Sequence, residues 1–271
     1  MNKDLSQIEF YFPNEEFKNK DELVNSIISL MKEKGSIDYS GYTNNELLRQ
    51  GLLDHIGNGS IGQYKSISVE QKSEIEKIIS ETVEKCNDKL PIPTKNFIFV
   101  HPYLTTEDNK VFEGVMAIAI YSCVFHLFVN LNEYSKKSIE NTVAHELNHT
   151  IYYYNHYNDF NNYTLLDEIL LEGLAENFRE QYFDPEVSKW AGALNKDTAF
   201  DILRESKNIL ESRDQKVIKE FLFGNDKYEK WTGYSLGYWL VKKFIKSNPN
   251  LSWDEIMKID SQKFLSTLHL S

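Results

Sequence analysis

Two histidines one helical turn apart, His145 and His149, sit in the run NTVAHELNHT, whose apolar neighbours recur at helical spacing. That combination restricts the chain sharply. Ile139, Val143, Leu147, Ile151 and Tyr154 fall along one side of a helix from about Ser135 to Tyr154 and predict its core stripe. His145 and His149 then share another side, ~6 Å apart along the axis, so both imidazoles can converge on one tetrahedral ion. Glu146 points about 100° away from His145, which disfavours it as a ligand and suits it to reach a water on the ion's open side. An H-E-x-x-H pattern also arises by chance, in roughly one chain of this length in a hundred. It can equally pack as polar helix surface, so the reading needs a further donor.

That donor lies in TLLDEILLEGLAENF, residues 164–178. Thr164 and Asp167 have the spacing of a helix start, and the helix is expected to run to about Phe183. Leu170, Leu171, Leu174, Phe178 and Tyr182 form its buried side, with Glu172 and Glu176 opposite. A glutamate presented from a second helix is what a two-histidine site lacks, and Glu172 fills that role. Glu176, one turn on, can accept the other ring N–H of a metal-bound histidine and fix its tautomer. The competing reading of both is a solvated acidic face. Other histidines fit less well. A metzincin would need glycine and histidine where Tyr152 and Asn155 stand. His156 lies ~10 Å up the helix from His149. His126 reads as an ordinary half-buried strand histidine, and His55, His101 and His269 have no supporting context.

The chain of 271 residues can bury a real core, as one large domain or two smaller ones. A formal charge of −11 argues against nucleic acid and anionic membrane as partners, since both demand a basic face. No run reaches the ~20 apolar residues of a membrane span, and residues 1–17 lack the apolar core of a secretory signal. A cytoplasmic protein is expected. Cys86 and Cys123 are not spaced as a metal pair and read as free buried thiols.

Residues 15–90 read as helices. Val24, Ile27, Ile28 and Met31 mark one that stops at Gly35. Thr43 and Glu46 suggest a capping box for the next, ending near Gly57, before a loop at 57–63. Ser68 and Gln71 open a third with the stripe Ile75, Ile78, Ile79, Val83 and Cys86. The segment KLPIPTK at 89–95 is a plausible boundary, dividing a helical region 1–90 from a domain 91–271. Beyond it, FIFVHP at 97–102, VMAIAIYS at 115–122 and VFHLFVNL at 124–131 read as strands, the last two as a hairpin or consecutive strands. Nearly everything after residue 135 reads as helix.

HELNH, then TLLDEILLEGLAENF, then WTGYSLGYWLV at 231–241 resemble a bacterial family of predicted zinc-dependent proteases, sometimes called YjaZ-like, within the gluzincin group of zincins. The similarity runs from about residue 95 to the C-terminus. It implies an α+β zincin fold in which a small mixed sheet stands with an active-site helix and a glutamate helix, preceded by the helical N-terminal region. It implies one Zn2+ per chain on His145, His149 and Glu172, with Glu146 as general base. Many gluzincins carry aspartate where this chain has Glu176. Zincins also bind extended peptide along a sheet edge upstream of the metal helix. By position that edge is Gly114, Val115, Met116, Ala117 and onward to Ala119, with 124–131 as inner neighbour; a central strand at 115–122 is the alternative. In several related peptidases a tyrosine donates to the developing oxyanion, which makes Tyr234 a candidate and Tyr238 a lesser one. Gly233 and Gly237 would let another helix approach closely.

The expected function is zinc-dependent hydrolysis of a peptide or protein substrate. The alternative is a zinc-binding regulatory or interaction module without proteolytic turnover.

Overall fold

The structure is a computed structural model that describes residues 5–12, 19–35, 45–55, 67–102, 110–156 and 163–268. The expected cap at Thr43 and the loop at 57–63 lie outside them. The chain forms two compact units, residues 1–154 and 155–271. This division does not coincide with the expected one at residue 90.

Among the described residues the first unit is built on four strands: β1 (Ser6–Phe10), β2 (Asn96–Pro102), β3 (Val115–Tyr121) and β4 (Val124–Val129). Their order is β1-β2-β4-β3; β1 and β4 flank β2 in parallel, and β3 pairs antiparallel with β4. β2 and β4 are central and buried almost throughout, which is why they read as unbroken apolar runs. The alternative of a central 115–122 strand fails, because β3 is an edge strand whose Met116, Ala117 and Ile118 remain half-buried.

One face of this sheet carries Phe97, Phe99, Val124 and Phe128. Against them pack Leu23, Val24, Ile27, Ile28 and Met31 of α1 (Lys20–Glu33) and Leu48 and Leu52 of α2 (Asn45–His55). The residue-90 boundary fails for this reason: the N-terminal helices share a core with the strands that follow. Nor is that region purely helical, since β1 adds a strand that sequence periodicity did not reveal. α3 (Val69–Lys89) opens with the expected Ser68–Gln71 capping box and buries the expected stripe. It also anchors the turn leading to the next helix. Gln71 Nε2 donates to the Leu131 carbonyl at 3.3 Å and the Tyr134 hydroxyl donates to Glu74 at 2.9 Å. Cys86 and Cys123 are free and buried, and burial pushes both thiols up, Cys123 to about 11.

α4 (Lys136–His156) begins where the Ser138 N–H donates to Ser135 Oγ at 3.0 Å. Its stripe of Ile139, Val143, Leu147 and Ile151 is buried as expected, but Tyr154 is 52% exposed and leaves the stripe at the helix end.

The second unit is helical: α5 (Leu165–Tyr182), α6 (Lys196–Glu205), α7 (Gln215–Phe223), α8 (Thr232–Ser247), and short α9 (Trp253–Ile256) and α10 (Ser261–Leu265). α5 is buried on every side from Leu165 to Arg179 except at Glu168, which is half-buried. Tyr182, expected inside, is only half-buried. α5 and α8 meet backbone to backbone. A Cβ built on Gly173 would lie 2.2 Å from the Gly237 carbonyl oxygen, and one on Gly237 would lie 1.9 Å from that of Ile169. Asn177 Nδ2 bridges the contact, donating to Gly173 O at 2.8 Å and Tyr238 O at 3.0 Å. Gly233 meets α7 instead, with Leu222 as its nearest neighbour. Among the described residues no helix is long and apolar enough to cross a membrane.

Candidate metal centre

α4 brings together His145, Glu146 and His149, whose ligand atoms all lie within 4.8 Å of one another. The two rings stand nearly edge to face, with centroids 4.4 Å apart. His149 and Glu146 are buried, and His145 is half-buried. Burial, then the neighbouring His145, push the His149 pKa well below the ordinary imidazole value. The ring is therefore neutral at physiological pH, the form that ligates a metal. Two imidazole donors beside a carboxylate, on a buried surface with an accessible edge at His145, form a donor set that fits zinc.

Glu172 and Glu176 belong to the second unit. Both are buried, at 7% and 0% exposure, which sets aside the reading of a solvated acidic face. The helix starts as its sequence dictates. Thr164 and Asp167 form a capping box, and Asp167 also accepts from Ser261 Oγ at 2.8 Å. Glu176 sits in a dense set of donors. Arg179 donates to its Oε2 through Nε at 3.2 Å and Nη2 at 3.1 Å, and Ser188 Oγ donates there at 2.8 Å. Trp190 Nε1 donates to Oε1 at 2.7 Å. Arg179 is itself buried and reaches the carbonyls of Asp184 and Glu186. Sequence reasoning missed this cage. Arg179, three residues on from Glu176, was the one legible signal, since such pairs meet on a helix. Ser188 and Trp190 arrive from a loop and left none.

The two tyrosines of α8 differ. Tyr238 is buried, its hydroxyl donating to Glu180 Oε1 at 3.1 Å and accepting from Lys242 Nζ at 2.5 Å. Lys242 also pairs with Glu180 at 2.8 Å. Tyr238 is thus tied into an ion pair, whereas Tyr234 is half-buried. Gly114 precedes the edge strand with φ +79°, after Glu113 at φ +53°. A Cβ on Gly114 would come within 2.9 Å of the Glu133 backbone, so glycine is required there. His156 Nε2 lies 2.8 Å from the Met257 carbonyl, which occupies it apart from any metal role.

His101 and His126, neither of them expected to matter, are buried together on the α1–α2 face of the sheet. His101 Nε2 and His126 Nδ1 lie 2.9 Å apart. Their rings stack with Phe99 and Phe128, and burial pushes the His101 pKa down to about 3.

Residues 75–266 match the family described as "Predicted Zn-dependent protease (DUF2268)". A relative from Bacillus subtilis (strain 168), described as "Uncharacterized protein YjfC", is 22% identical over 237 residues, spanning 80% of this chain and 77% of its own. No solved structure matches.

Proposed function

This chain belongs to the family of predicted Zn-dependent proteases, and from that footing we propose that it hydrolyses peptide bonds at a single zinc held by His145, His149 and Glu172. The observation that carries the proposal is the convergence of the His145, Glu146 and His149 donor atoms within 4.8 Å on one helix. The architecture is read as zincin-like, with β3 as the edge strand upstream of the metal helix.

When bound, zinc supplies a Lewis acid for the scissile carbonyl and acidifies water at neutral pH. Glu146, beside the histidines but one position off their row, takes the proton of the attacking water and delivers it to the departing amine. Glu176, caged by Arg179, Ser188 and Trp190, holds a fixed acceptor that orients a histidine ligand through its second ring nitrogen. The main chain of Gly114, Val115, Met116 and Ala117 is the stretch assigned to extended substrate, because β3 lies at the edge of the sheet. Tyr234 is the donor assigned to the developing oxyanion, as the family resemblance implies; the Tyr238 hydroxyl is engaged by Glu180 and Lys242.

The test is cleavage of a broad peptide library by purified protein of measured zinc content. Cleavage that a chelator abolishes and added zinc restores supports the reading. A protein that carries stoichiometric zinc yet cleaves nothing would instead be a binding module.

A further inference from the structure

Helix α5 carries five carboxylates: Asp167, Glu168, Glu172, Glu176 and Glu180. Three are accounted for by their contacts. Asp167 closes the helix cap and accepts from Ser261. Glu176 accepts from Arg179, Ser188 and Trp190. Glu180 pairs with Lys242 and Tyr238. Glu172 is the proposed metal ligand. Glu168 has the Tyr163 hydroxyl beside it. No cation pairs with it among the described residues, and it sits at the one position from Leu165 to Arg179 where this helix is half-buried and not fully buried. It lies one turn before Glu172, ~6 Å along the axis and about 40° around it, on the same side of the helix. An incoming molecule that reached Glu172's side would meet this carboxylate.

We propose that Glu168 is a specificity residue that receives a cationic nitrogen of the peptide substrate, either a free N-terminal ammonium or a lysine or arginine side chain. The inference rests on the peptidase reading and deepens it by naming the substrate class. Its electrostatic setting agrees. Burial, then the like charge of Glu172, push the Glu168 pKa up to about 7, while the Tyr163 hydroxyl acts in the opposite sense and Asp167 adds to the rise. A carboxyl so placed gains more from an arriving cation than a solvated surface glutamate does, because the pairing occurs in a poorly hydrated setting.

The experiment compares kcat/KM for peptide pairs that differ by one charge: a free against an acetylated N-terminus, and internal lysine against norleucine. The wild-type protein should favour the cationic member of one pair by about tenfold or more, as a charge-assisted contact gives. Glu168→Gln should bring that ratio close to one, through KM, with zinc content retained. Preference in the first pair identifies an aminopeptidase, in the second a basic-residue endopeptidase. The same pairs are measured for equilibrium binding to zinc-loaded Glu146→Gln and to Glu146→Gln/Glu168→Gln. This arm reads Glu168 even if no peptide is turned over, so failure of the peptidase reading and failure of this inference give different results. A charge preference that survives Glu168→Gln, no charge preference in the wild type, or loss of zinc from Glu168→Gln would each overturn it; the last would make Glu168 a metal ligand.

Discussion

Substituting Gly237 by alanine tests whether the glutamate helix is held by backbone contact. The new Cβ would stand 1.9 Å from Ile169 O and 2.9 Å from Gly173 N, both backbone atoms that no rotamer change can move. Ordinary contact begins near 3.4 Å, so α5 and α8 must part by roughly 1.5 Å. Asn177 Nδ2 cannot then keep both of its carbonyl acceptors, now at 2.8 and 3.0 Å, a loss of about 1 kcal/mol. Overpacking costs about 1–3 kcal/mol more, and the fully buried Leu236, Leu240 and Leu174 lose dispersion contacts across the widened gap. Alanine's better helix propensity offsets about 1 kcal/mol. The net expectation is about 3 kcal/mol of destabilisation, or about 1.5 M off the urea midpoint at an m-value of about 2 kcal/mol/M. Far-UV circular dichroism during urea unfolding measures it. Gly233→Ala is the internal control: its Cβ would meet the mobile Leu222 Cδ2 at 3.0 Å, with the nearest backbone at 3.5 Å, and should cost no more than about 1 kcal/mol. A Gly237→Ala midpoint equal to or above that of the wild type, the sign propensity alone gives, would refute the argument.

Glu146→Gln should lower kcat by about a hundredfold to ten-thousandfold while elemental analysis still finds one zinc; full activity in this variant would remove Glu146 as the base. His145→Ala, His149→Ala and Glu172→Ala should each lose the metal itself, and normal zinc in Glu172→Ala would require another third ligand. Stability should also depend on pH through His101. Its pKa is lowered to about 3 by burial, so between that value and its ordinary 6.5 the unfolded chain binds a proton that the folded one does not. The contribution is fully present above about pH 6.5 and falls on acidification by about 1.4 kcal/mol per pH unit. Urea midpoints at pH 7, 6 and 5 should fall less steeply in His101→Gln than in the wild type, and parallel slopes would show that His101 does not titrate on unfolding.

The parts of this molecule that were legible in sequence are those set by neighbours in sequence. The caps at Ser68 and Thr164 are fixed within one turn, and the His145–Glu146–His149 cluster is a matter of helical angle alone. β1 was invisible because Ser6–Phe10 has no apolar run; it is a strand by pairing in parallel with β2 across a long crossover. The prolines at 91 and 93 looked like a domain boundary but only introduce β2, and no local pattern shows that α1 and α2 cover that same sheet. His101 and His126 looked unremarkable singly. They meet because the β2–β4 register sets Phe99 against His126 and His101 against Phe128, and register across parallel strands is a tertiary property. Tyr154 failed the other way: it keeps the angular period of its stripe, but the core it should join has ended.

The second unit buries a helix that its charge alone would keep in water, and the way it does so bears on function. An ionised carboxylate taken out of water without compensation costs several kcal/mol, so five on one buried helix demand local partners. Arg179, Ser188 and Trp190 supply them for Glu176, Lys242 and Tyr238 for Glu180, and the cap with Ser261 for Asp167. At the turn bearing Glu168 and Glu172, burial and then the like charge of Glu172 lift the Glu168 pKa, against the opposing pull of the Tyr163 hydroxyl. The flanking turns are fixed by cap, ion pair and the Gly173–Gly237 contact, so the helix cannot relieve that repulsion by moving. On the reading proposed above, a positive charge arriving from outside would relieve it: a divalent ion at Glu172, and a substrate cation at Glu168. If Glu172 is the ligand proposed above, a helix braced this firmly on both sides of its turn would hold that carboxylate in place before the metal arrives.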